Sequence, residues 1–201
     1  TRSDRDWSSD VCSSDLTQRS WVRTPPLRPK VISHMKIFYR DLTKQDLKQW
    51  VALAKSEFSI SDFCDENYLL KGWDHLRGYV LQNNNNEWMG VVWLDFEGNG
   101  KYNPDGCHIL EVVLFPKYRN STFIKYLGKI IFDNAHGLKK SASVRPGNKA
   151  PTYIMQRLGF KITGREWYFF GFWNNYICDA DFYPKELKNI TLKYKKLTLD
   201  F

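Results

Sequence analysis

The sequence predicts one α/β domain in which strands and helices alternate along the chain. Two observations carry that reading. His108 to Ile124 begins with apolar and β-branched residues, stops at Pro116, and passes a short basic-polar loop into a helical pattern. There Leu127, Ile130 and Ile131 recur three and four apart, the repeat of one helix face. The second observation is the order of patterns from Met35 onward, β-α-α-β-β-β-α-β-α-β-β, with no internal repeat.

The elements follow in order. Met35 to Leu42 reads as a strand. Thr43 is placed to cap the next helix, with Asp46 in its first turn. Leu47, Trp50, Val51, Ala54 and Phe58 form one stripe, so Lys44 to Phe58 is expected to be an amphipathic helix. Glu66 to Trp73 is a second, short helix. Gly78 to Gln82 and Trp88 to Phe96 are strands joined by Asn83 to Asn86, since Asn tolerates left-handed turn geometry. Cys107 to Phe115 is the strand of the organising stretch, and Thr122 to Ala135 its helix. Lys140 to Val144 is another strand. Asn148 is expected to cap a helix that carries Pro151 in its first turn and stops at Gly159. Phe160 to Phe172 and Tyr176 to Tyr183 are two aromatic-rich strands around a turn at Trp173 to Asn175. The tail from Pro184 is a last strand or a loose end.

Residues 1–34 do not share this patterning. Asp6 to Leu16 resembles the translation of a widely used sequencing-library adapter, and Thr17 to His34 has three prolines and no repeating apolar face. We expect a non-native or disordered leader over 1–34, a natural start at Met35, and one domain over 35–201. The whole chain carries 30 Lys+Arg against 22 Asp+Glu; the leader holds 6 and 4 of them, which leaves 24 against 18, a net of +6. That excess suits anionic partners such as phosphorylated cofactors. It shows no arginine-rich patch among the aromatics, so nucleic acid is the minority reading. Of the four cysteines, Cys64, Cys107 and Cys178 fall outside the leader, widely spaced and without a C-x-x-C pair, which argues against disulfides and zinc. The histidines show no ligand spacing. With no apolar run long enough to span a bilayer, a cytoplasmic protein is expected.

A loop delivered by a strand into a helix start gathers free backbone N–H groups and a positive dipole end, which suits phosphate. A plain α/β connection gives the same pattern. Pro116-Lys117-Tyr118-Arg119 followed by a helix resembles the cofactor loop of the GNAT superfamily of N-acetyltransferases. Asn148, eleven residues before Gly159-Phe160, is similar to that family's second motif, Asn-x-x-Ala-x-x-x-Tyr-x-x-x-Gly-Phe. The resemblance covers Met35 to about Lys185. It implies the GNAT-like acyl-CoA N-acyltransferase fold: a mixed, mostly antiparallel sheet flanked by helices, opening in a V between two central strands.

The same resemblance implies acetyl-CoA as cosubstrate and direct transfer of its acetyl group to a primary amine. The backbone of Val113, Leu114 and Phe115 would hold the pantetheine arm. Arg119 and the amides of Asn120, Ser121, Thr122, Phe123 and Ile124 would hold the pyrophosphate, with Asn148 matching in the second motif. Thr122 and Ile124 stand where the family has glycine or alanine, Pro151 stands in the Ala place, and Met155 in the place of a Tyr that often protonates the departing thiolate. Glu111, a charge inside an apolar strand, is the candidate general base; a salt-bridged or edge-exposed glutamate is the plainer reading. Strict alternation puts Glu111 with Ile109, Val113 and Phe115, and opposite His108. The departures from the motifs support an alternative, a GNAT-like binding or accessory protein with lost turnover. Acceptor selection is expected to fall on Ser59 to Trp73 and on a turn over Phe172 to Tyr176. The acceptor's identity and the oligomeric state are not encoded in any motif.

Overall fold

A computed structural model describes residues 35–57, 65–97, 103, 105–168 and 171–196. The leader, much of the expected acceptor segment after Glu57, and Cys64 lie outside the described residues. Eight strands form one sheet: β1 (Ile37–Asp41), β2 (Leu76–Asn83), β3 (Trp88–Asp95), β4 (Cys107–Leu114), β5 (Lys140–Val144), β6 (Lys161–Tyr168), β7 (Gly171–Cys178) and β8 (Lys193–Tyr194). Their order is β6-β7-β5-β4-β3-β2-β1-β8. Among the described strands only β4–β5 and β1–β8 are parallel pairs. The helices are α1 (Leu47–Glu57), α2 (Glu66–Lys71), α3 (Ser121–Asn134), α4 (Lys149–Arg157) and α5 (Lys185–Lys188). No described helix is long and apolar enough to cross a membrane.

Local chemistry explains most of these elements. Thr43 donates its N–H and its hydroxyl to the Asp46 carboxylate, each at 2.8 Å, and this closes the first turn that leads into α1. Asn86 turns the β2–β3 hairpin at φ 59, the left-handed conformation that Asn tolerates. Gly159 follows α4 at φ 84, where a side chain would be strained.

One sheet face lies under α1 and α2, where Trp93 of β3 is sealed between Trp50 and Trp73, with ring centroids 6.2 and 6.3 Å away. The other face lies under α3 and α4, where Leu127, Phe132, Leu158 and Phe160 are buried. At Gly90 the layers close so tightly that an added Cβ would sit 2.6 Å from the Val113 carbonyl and 3.2 Å from Leu127.

Two expectations need correction here. Trp173, Asn174 and Asn175 do not form a turn: they lie inside β7, and β6 ends at Tyr168. Turn propensity is overridden by pairing, since Asn175 opposes Ser143 and Asn174 opposes Val144 on β5. The Asn148 side chain makes no capping hydrogen bond; its backbone carbonyl accepts from Thr152 N instead. The tail, left open by the sequence, supplies α5 and then β8. There Lys195 N donates to Tyr39 O at 2.8 Å, and the Tyr194 hydroxyl donates to Asp41 at 2.7 Å.

Candidate active site

The sheet splits down its middle. β4 and β5 pair only over Cys107–Lys140, His108–Ser141 and Ile109–Ala142. Beyond them each strand goes on alone, β4 against β3 and β5 against β7. The cause is visible in the β3–β4 register: Trp93 opposes Glu111 while Leu94 opposes Ile109, so Leu110 is an extra residue, a bulge. A bulge adds twist and bends its strand away from a neighbour.

Opening the ladder leaves one edge of β4 without a strand partner among the described residues. Phe115 N donates to Met89 O at 3.1 Å, so Phe115 and, two residues back, Val113 turn their backbone groups toward β3. Those of Leu114 and Val112 then face the split. Of the three backbone positions expected to line it, Leu114 does; Val112 was missed, because nothing in the sequence marks where a bulge shifts the phase.

The bulge also overturns strict alternation. Glu111 shares a face with Trp93 and Val91, and Ile109 lies on the opposite face with Leu94. His108 opposes Asp95 and therefore faces the same side as Glu111. Viewed across the α1/α2 face, Asp95, His108, Ser141 and Ile177 form one row. Trp93 and Glu111 begin the next, and Ser143 and Asn175 continue it beyond the split.

Burial sets the electrostatics of these rows. Glu111 is pushed up to about 8, because its apolar surroundings disfavour the charged carboxylate. Its side chain is only partly covered, so water attenuates the effect. His108 is pushed down to about 4 by burial, partly opposed by the Asp95 charge, and is held neutral. Its Nδ1 lies 2.9 Å from Ser141 Oγ. His75 Nδ1 stands 2.9 Å from Asp95. Beyond the split, Ser143 donates its hydroxyl to Asn175 Oδ1 at 2.8 Å, while Asn175 Nδ2 is buried without a hydrogen-bond partner among the described residues. A buried donor left so costs about 1–3 kcal/mol.

The loop between β4 and α3 is a 3-10 turn over Pro116–Tyr118, and Asn120 caps α3. The Asn120 side chain accepts from Thr122 N at 3.0 Å and Phe123 N at 3.1 Å, so the chain itself uses two of the amides expected to meet a pyrophosphate. Ile124 N follows the helix ladder to Asn120 O. The Ile124 side chain packs on the core, as does Phe123, whose ring meets Tyr118 edge-on at 5.4 Å; Thr122 is exposed. Arg119 donates through Nε to the Leu114 carbonyl at 3.0 Å, at the end of the open edge.

On α4, Met155 is buried and Tyr153 is 49% exposed with its hydroxyl toward Arg157, so Tyr153 does not replace the motif tyrosine. Tyr176 of β7 brings a buried hydroxyl to Thr152 Oγ1 of the same helix, 3.5 Å away and one turn from Met155. Among the described residues no cluster of three His, Cys, Asp or Glu could hold a metal ion.

No family model matches the chain, and no curated protein matches its sequence. Solved structures do match. A spermidine N-acetyltransferase of Vibrio cholerae, solved in complex with CoA and spermine, is 17% identical with a TM-score of 0.54, over 71% of this chain and 95% of that one. NAA60 of Arabidopsis thaliana, solved with a bisubstrate analogue, is 13% identical with a TM-score of 0.57, over 71% of this chain and 97% of that one. A mutant of the Vibrio cholerae enzyme, with Leu in place of an Asn, reaches a TM-score of 0.57 at 17% identity, over 77% and 97% of the two chains. At such identities the likeness is one of fold.

Proposed function

We propose that this chain, which has the fold of the GNAT acetyltransferases, transfers an acetyl group from acetyl-CoA to a primary amine by direct attack. The observation that carries this is the split between β4 and β5 with Glu111 on its wall. The open edge offers the Val112 N–H and C=O and the Leu114 N–H, with the Leu114 carbonyl already accepting from Arg119, to an extended amide-bearing arm that would pair as an added strand does. Arg119 and the start of α3 supply positive potential for the pyrophosphate. The fit is partial there, because Asn120 holds the Thr122 and Phe123 amides and must turn aside to release them.

In this reading the amine nitrogen attacks the thioester carbonyl carbon. The C–N bond forms, the C–S bond breaks, and the sulfur leaves as a thiolate that takes a proton from water. Glu111 takes the proton that the acceptor must lose to become nucleophilic. A raised carboxyl suits this: once ionised it is basic enough to hold an ammonium proton.

Calorimetry and thermal melting with acetyl-CoA, followed by thiol release with a panel of primary amines, test the proposal. Stabilisation by acetyl-CoA and thiol release with at least one amine are expected. Failure of every acyl-CoA to bind or stabilise the chain overturns it. The second reading, a binding protein without turnover, is favoured by Asn120's occupation of the amides and by Met155. Stabilisation by acetyl-CoA with no thiol release from any amine establishes that one instead.

A further inference from the structure

We propose that Asn175 selects the acceptor, and that the acceptor is an amine with a carbonyl or carboxylate oxygen a few bonds from its nitrogen, as in an amino-acid amide or a peptide α-amine, rather than a polyamine. This rests on the acetyl-transfer reading above.

Asn175 stands on β7, opposite Ser143 of β5, and Ser143 is the first β5 residue past the last pair that β4 and β5 make. The Ser143–Asn175 pair therefore walls the split on the side facing Glu111. Two strand spacings separate β4 from β7, about 10 Å before the opening is added. A span of that order holds a nitrogen against Glu111 and an oxygen against the far wall.

The far wall asks for an oxygen. Asn175 is 4% exposed, its Oδ1 is already taken by the Ser143 hydroxyl at 2.8 Å, and its Nδ2 has no partner among the described residues. Buried amides rarely keep an orphan N–H, and a ligand oxygen satisfies it. One step further toward the mouth, Arg145 lies over the Trp173 ring at 4.9 Å, a cation beside the same wall. Glu166 of β6 opposes Trp173 from the next strand out, so the mouth is of mixed charge. A polyamine's second ammonium would meet Arg145 and a donor on this wall, and its charge would find no acceptor in Nδ2.

An amide turned over would reverse the requirement: Oδ1 would become the orphan and would receive an ammonium. The experiment separates the two. Thiol release is measured for the full chain with acetyl-CoA and alaninamide, isopropylamine or spermidine. The quantity read is the ratio of kcat/KM for alaninamide to that for isopropylamine, in the wild type and in Asn175→Leu. Comparing that ratio between proteins cancels the different basicities of the amines. The ratio is expected to fall about tenfold in the variant, the size of one net hydrogen bond. Asn175→Asp keeps the size and replaces the donor with an acceptor, so it should move preference toward spermidine. Melting with and without acetyl-CoA checks that each variant is folded, and Asn175→Asp carries the test if Asn175→Leu is not.

A wild type that prefers spermidine, and loses that preference in Asn175→Leu, overturns the proposal. So does a ratio unchanged in both variants; either result leaves the acetyl-transfer reading standing. Release from no amine at all removes both.

Discussion

His108 and Glu111 face the same side of β4 although they stand three positions apart, because Leu110 is looped out of the ladder with β3. That one extra residue brings a neutral histidine and a raised carboxyl onto one wall, and it also parts β4 from β5. Site and electrostatics thus share a cause.

Glu111→Gln keeps shape and hydrogen-bonding reach while removing basicity. Turnover should fall by about a hundredfold or more, the scale of a lost general base. Acetyl-CoA affinity should barely change. With its midpoint raised to about 8, the wild-type carboxyl is mostly protonated at neutral pH, so turnover should climb up to about 8 and level off above it. The variant should lack that inflection and recover partly at high pH, where more of the amine is already neutral. A wild-type and variant pH profile that superimpose would leave deprotonation to water.

The same group governs stability. Glu111 ionises at about 8 in the folded chain against an ordinary 4.5, so its contribution is complete below 4.5 and is lost as pH rises through about 8. The loss is on the order of a few kcal/mol at most, since partial exposure screens it. His108 runs the other way: lowered from 6.5 to about 4, it contributes above 6.5 and loses that contribution as pH falls to about 4. Melting scans should show Glu111→Gln more stable than wild type at pH 8 and level with it at pH 4. Equal midpoints at pH 8 would mean that the carboxylate is solvated there.

Asn120 competes with any phosphate for the Thr122 and Phe123 amides. Asn120→Gly frees both at a cost of only a few tenths of a kcal/mol in capping, so acetyl-CoA should bind several-fold more tightly, about 0.5–1 kcal/mol on the scale of a dipole-assisted anion contact. Asn120→Asp keeps the cap but sets a negative charge against the pyrophosphate and should weaken binding. Calorimetric affinities ranked in the opposite order would move the pyrophosphate away from this helix.

Gly90 admits no side chain without parting β3 from β4. Gly90→Ala should destabilise the fold by about 1–3 kcal/mol, the usual cost of overpacking, read as a lowered denaturation midpoint. A midpoint within experimental scatter of wild type would mean that the strands shift freely there.

The leader is proposed to add nothing to the core. A chain starting at Met35 should keep the thermal midpoint of the full chain, and a drop of several degrees would place residues 1–34 on the domain.

How much of this was written in the sequence divides along one line. The β4–α3 unit, the strand Lys140–Val144, the stop at Gly159 and the oddity of Glu111 were all legible, because each depends on neighbours within a few residues: periodicity, caps and turn chemistry. The phase of β4 was not. Leu110 has no local mark of a bulge; whether it pairs or loops out is decided by how Trp93 seats under α1 and α2 while Leu94, on the opposite face, pairs with Ile109. The turn misplaced at Asn174-Asn175 failed for the same reason, since Ser143 and Val144, some thirty residues away, hold those side chains in a strand. The Asn120 cap lay within reach of the sequence, for Asn before a helix is a common N-cap, but the family pattern drew that residue toward phosphate instead. Composition and local spacing therefore marked which residues are candidates for chemistry. Which of them face one another was decided by strand register, and register is a long-range property of the packed sheet.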